Sequence, residues 1–111
     1  MARVDTDLLT QIGDIERLLG LETSEIAEML GVSGGVLRDG APLSAEAVPM
    51  LDRLHALSLR VADTYDGESI PSWLRSPSLA LWGARPIDLL MRGRLDEVSE
   101  ALDALEFGAH V

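Results

Sequence analysis

Apolar residues in this chain recur at steps of three and four and never settle into the alternation of a half-buried strand, so the regular structure it can build is helical. Leu8, Ile12, Ile15 and Leu19 form one such stripe. Leu51, Leu54, Leu57, Val61 and Tyr65 form a second, and Leu95, Val98, Leu102 and Leu105 a third. The expected fold class is therefore all-α. An N-terminal helix-turn-helix-like unit spans 1–43, a connecting helix 44–66, and a small helical domain with a C-terminal tail 67–111.

Glycine and proline set the expected ends of these helices. Gly20 closes the first, which starts at Asp5. Thr23 or Ser24 is the expected cap of a second helix with Glu25 in its first turn, and Gly31 ends it. A weak element from Ser33 to Asp39 follows, because Gly34 and Gly35 each cost about 1 kcal/mol against alanine inside a helix. The long helix starts at Ala45 behind Ser44, or near Pro49, and runs to about Tyr65. After the loop Asp66-Gly67-Glu68-Ser69, Pro71 opens a short turn bearing Trp73 and Leu74. Ser76-Pro77 reads as cap and first position of another short helix ended by Gly83. Pro86 starts one ended by Gly93. The last helix is expected from Leu95 to Phe107, with Asp96, Glu97, Glu100 and Asp103 on its outer side.

At 111 residues the chain has little room for both a core and a deep enclosed pocket, whereas a protein–protein surface is within its reach. No apolar run approaches the roughly 20 residues of a membrane span, and Met1 to Leu9 lacks the apolar core of a signal peptide. The expectation is a cytoplasmic protein. With no cysteine, disulfides and cysteine-ligated zinc are excluded. His110 has no second histidine at ligand spacing, and His55 reads as a packing or surface residue. No nucleophile triad, phosphate loop or metal cluster is legible, so neither catalysis nor a cofactor is expected.

Ile26 to Gly40 has the layout of a helix-turn-helix: a short helix, a glycine turn, a Val-Ser step and a second short helix. Ala27 would sit at the crossing, with Ile26, Leu30, Val32, Val36 and Leu37 as internal contacts. Its candidate DNA-facing residues are Ser33, Gly34, Gly35 and Arg38. The formal net charge of −10 opposes unaided binding to phosphate and favours a basic protein partner.

The C-terminal third carries an ordered set of residues: Trp73-Leu74, Pro77, Leu81 with Gly83, Pro86-Ile87-Asp88-Leu89-Leu90, Gly93, Val98, Leu102 and Gly108. This set resembles the toxin-binding domain of the MbcA/ParS/Xre antitoxin family, over roughly Trp73 to Gly108. The upstream helices fit that family's layout. Trp82 departs from the pattern, standing where a second small residue is common, and Arg92-Gly93-Arg94 replaces an acidic-Gly step.

The resemblance implies a small helical antitoxin whose partner is a cognate toxin, often an NAD-consuming RES-domain enzyme. It also implies a homodimer or a higher hetero-oligomer, with the C-terminal end covering the toxin's active-site entrance. The expected toxin-binding residues are Trp73, Trp82, Arg85, Arg94, Gly108, Ala109, His110 and Val111. Gly108 lets the chain leave the last helix, and small Ala109 and Val111 suit a narrow cleft. The Val111 carboxylate, ionised at neutral pH, would mimic an anionic substrate. The alternative is a dimeric helix-turn-helix repressor, possible autoregulator of its own operon, whose recognition element would ordinarily be more basic.

Overall fold

The computed structural model describes residues 5–38 and 43–108. Among them all regular structure is helical: α1 (Asp5–Leu19), α2 (Thr23–Leu30), α3 (Gly34–Arg38), α4 (Ala47–Thr64), α5 (Ile70–Leu74), α6 (Pro86–Met91) and α7 (Leu95–Gly108), with one 3-10 turn at Leu79–Leu81.

The three long helices set the frame. Gln11 Nε2 donates to Asp52 at 2.8 Å, and His55 Nε2 meets Asp14 at 3.0 Å. The partners advance together along both helices, so α1 and α4 run parallel. Arg53 bonds Asp96 and Arg60 bonds Asp103, with Arg60 also reaching the Ser99 hydroxyl at 3.0 Å. By the same logic α7 runs parallel to α4 on its other side. Parallel neighbours need return crossovers, and the short elements supply them: α2 and α3 between α1 and α4, then α5, the 3-10 turn and α6 between α4 and α7.

The predicted stripes form the core except at their ends, where Tyr65 packs only partly buried against it and the Leu105 side chain lies outside the described residues. Leu8, Ile12, Ile15 and Leu19 of α1 are buried, as are Leu51, Leu54, Leu57 and Val61 of α4 and Leu95, Val98 and Leu102 of α7. They join one cluster with Ile26, Ala27 and Met29 of α2 and Ile87, Leu89 and Leu90 of α6. Leu30 and Val32 pack only at its edge. Ser58, the buried polar residue of α4, donates to the His55 carbonyl at 2.7 Å.

Two local expectations need correction. The cap of α2 is Glu22, not Thr23 or Ser24. Its carboxylate accepts from the Glu25 amide while the Glu25 carboxylate accepts from the Glu22 amide at 2.9 Å, a reciprocal box that a serine cap also makes. Thr23 instead turns its hydroxyl to Glu16 on α1. Nor does Ser76-Pro77 open a helix. Ser78 is extended and bonded to both arms of the loop, its amide to the Ala84 carbonyl at 3.0 Å and its carbonyl to the Gly83 amide at 2.8 Å. A loop closed that tightly has room for a single turn.

Candidate interaction surface

That closed loop determines what the C-terminal part displays. Four apolar residues run in sequence, Leu79-Ala80-Leu81-Trp82. In 3-10 geometry residues three apart eclipse one another. Leu81 points inward and is buried, whereas Leu79 and Trp82 are 96% and 98% exposed. Among the described residues Trp82 is the one non-glycine with a positive φ, 58°. Its amide donates to the Leu79 carbonyl at 3.1 Å, and Gly83 follows at φ 88°. A left-handed conformation costs a Cβ-bearing residue about 1–2 kcal/mol. Here the backbone bonds around the loop hold it in place.

Between this turn and α7 lies a groove of about 490 Å³. Leu81, Ala101, Ala80 and Ala104 form its apolar surface, and Trp82, Glu97 and Glu100 its rim. A second concavity, about 240 Å³, opens between α4 and α7 beside Leu57 and Leu95. Its arginines, Arg53 and Arg60, are already paired with Asp96 and Asp103.

The expected binding residues divide by place. Trp82 stands at the groove. Arg85 forms a two-bond pair with Asp88, both contacts 2.9 Å, which holds the Asp88 carboxyl below its usual range and raises the guanidinium. Arg94 pairs with Glu97 at 3.3 Å, at the groove's rim. Trp73 is half-buried away from the turn, its ring 5.0 Å from that of Tyr65, so it ties α5 to the end of α4. Burial there raises the Tyr65 hydroxyl pKa. Gly108 is the last residue of α7, while Ala109, His110 and Val111 lie outside the described residues.

Leu79 was not among the expected residues. Its signal was present: a four-residue apolar run between Ser-Pro-Ser and glycine is too short for every member to face one core.

At the other end, α2 and α3 pack on each other across the left-handed Gly31. Leu37 is buried, Ser33 is exposed, and Gly34 and Gly35 are half-buried; the Val36 and Arg38 side chains lie outside the described residues. Positive charge is scarce throughout. Arg17, Arg53, Arg60, Arg75, Arg85 and Arg94 each have a carboxylate partner. Among the described residues no group of three or more acidic, histidine or cysteine side chains is placed to hold a metal ion. No helix of the described residues is long and apolar enough to cross a membrane.

Comparison with known proteins bears on the same region. Residues 64–108 match the Antitoxin Xre/MbcA/ParS C-terminal toxin-binding domain. The chain is also similar to a protein of Mycobacterium tuberculosis (strain ATCC 25618 / H37Rv) named as a "probable mycobacterial cidal antitoxin". The two are 27% identical over 104 residues, covering 92% of this chain and 90% of the relative. No solved structure matches.

Proposed function

From the match of residues 64–108 to the Xre/MbcA/ParS toxin-binding domain and the likeness to a probable antitoxin, we propose that the chain is an antitoxin of this family and neutralises a cognate toxin by binding it through the Leu79–Trp82 turn and α7. The observation that carries this reading is the exposed pair Leu79 and Trp82, which falls inside the stretch that matches a toxin-binding domain. Monomeric proteins seldom display large apolar side chains together without using them. Tryptophan is among the commonest energetic anchors of interfaces.

The finer parts of the proposal rest on the family resemblance. The toxin is an NAD-degrading RES-type enzyme, residues 67–111 carry the binding, and the antitoxin acts as a homodimer or within a larger hetero-oligomer. The end of the chain, from Gly108, the last residue of α7, to Val111, reaches the toxin's active-site entrance and occludes it. Arg85 and Arg94 contribute beside the turn, and Trp73, away from it, contributes through its packing of α5 against Tyr65. An interface that seals an entrance needs no catalytic group of its own, and none is assigned.

Co-expression tests it. The full chain should restore growth and cellular NAD in cells making its RES-domain toxin. Deleting 108–111 should abolish that protection while leaving helix content and melting nearly unchanged. Full protection by the shortened chain would refute occlusion by the tail. No protection by the full chain would refute the antitoxin reading.

A further inference from the structure

Building on the antitoxin reading, we infer that the groove between the 3-10 turn and α7 receives an arginine-bearing segment of the toxin, with Trp82 stacking on the guanidinium. The groove makes three separate demands on an occupant. Its apolar surface is mostly alanine, Ala80, Ala101 and Ala104 beside Leu81, leaving depth for a long aliphatic stem. Its rim carries Glu97 and Glu100. Among the described residues Glu97 is engaged only by Arg94, at 3.3 Å, and Glu100 has no ion-pair partner. Its third side is the exposed indole of Trp82.

One side chain meets all three. Arginine offers an apolar stem, a planar cation that stacks on tryptophan, and a donor fork that matches a carboxylate. Lysine lacks the plane and the fork. A purely aliphatic residue would leave the glutamates facing apolar surface. The formal net charge of −10 also favours a basic partner surface. The left-handed backbone at Trp82, φ 58°, directs its side chain away from the core, where the indole is 98% exposed.

This proposal concerns a residue where the chain departs from the family pattern, so it bears on partner choice within the family. Fluorescence tests it, because the chain holds two tryptophans. Trp73→Phe leaves Trp82 as the sole reporter, and Trp82→Ala supplies the complementary signal in the unaltered background. The probe is the purified RES-domain toxin, added to the full chain.

Trp82 emission should shift to the blue and acrylamide quenching should fall as the complex forms. Trp82→Ala should weaken binding about 10- to 100-fold, as loss of an anchor does. Glu100→Gln should weaken it about 3- to 10-fold, as loss of a charge-assisted bond does. One toxin arginine should be protected from phenylglyoxal by the full chain and not by Trp82→Ala.

If the full chain neutralises the toxin while Trp82 stays fully quenchable and both variants bind normally, the groove assignment is overturned and the antitoxin reading stands. If the full chain alone buries Trp82 with rising concentration, the occupant is a second copy and the assignment is equally overturned. If the full chain fails to bind toxin, both readings fall.

Discussion

Gly13 and Gly20 respond to alanine in opposite directions. Gly13 lies inside α1, and a Cβ there would meet nothing within 4 Å. Gly13→Ala should stabilise the protein by about 0.5–1 kcal/mol, the entropic cost of glycine in a helix. Gly20 has φ +68°, and a Cβ there would lie 3.1 Å from Pro71 Cγ. Gly20→Ala should destabilise by about 1–2 kcal/mol or more, since the left-handed backbone and the contact act together. Urea unfolding of both variants checks the pair. Equal shifts would refute the left-handed backbone at Gly20 together with its contact at Pro71.

Asp14 gives a pH dependence at the same scale. The hydrogen bond from His55, then that from Arg17, lowers its pKa below the ordinary 3.8. The folded chain therefore holds this proton more weakly than the unfolded one. Its contribution to stability is fully present above the ordinary value and is lost as pH falls through the lowered one. Asp14→Asn should flatten the acid limb of stability against pH, with wild type and variant converging in strong acid. A gap that persists there would assign the effect to packing between α1 and α4. The pairing with His55 could not be foreseen: the sequence marks His55 as a packing or surface residue, and its link to α1 needs the parallel arrangement of two distant helices.

At the scale of elements, periodicity carried what depends on one face of one helix. The stripes of α1, α4 and α7 are buried where spacing places them because one packed face dominates the stability of a helix. Replacing Val98 or Leu102 with Asp, both 0% exposed, buries an unpaired charge at a cost of several kcal/mol and should unfold the domain. Circular dichroism with a urea titration checks it, and a well-folded double variant would show the α7 core face to be misassigned. Legibility failed where tertiary closure overrides local preference. Pro77 suits a first helical position, yet Ser78 is bonded across the loop to Gly83 and Ala84, leaving one turn. Glu22 serves as cap because Glu25 stands where it can reciprocate, a competition between adjacent candidates that residue ranking does not decide. The groove needed both the turn and α7 in place: Trp82 was expected at the binding surface, Glu97 and Glu100 only as part of an outward acidic stripe, and Leu79, though its apolar run marked it, was not singled out.

At the scale of the whole molecule, charge distribution shapes how the proposed complex forms. Six arginines are neutralised within the fold, and the formal net charge is −10. Such a field repels nucleic acid and attracts a basic surface from beyond contact distance. Its reach is about 10 Å at 0.1 M salt and about 3 Å at 1 M. Salt should therefore act on encounter more than on the docked complex. Raising sodium chloride from about 0.05 M to about 0.5 M should slow association with the toxin about tenfold, whereas dissociation should change only a few-fold. Stopped-flow fluorescence of Trp82 separates the two rates. The apolar grip of Leu79 and Trp82 does not weaken with salt, so a complex held by them persists once formed. If dissociation carries the salt dependence instead, the pairs at Glu97 and Glu100, rather than the exposed apolar turn, hold the partner.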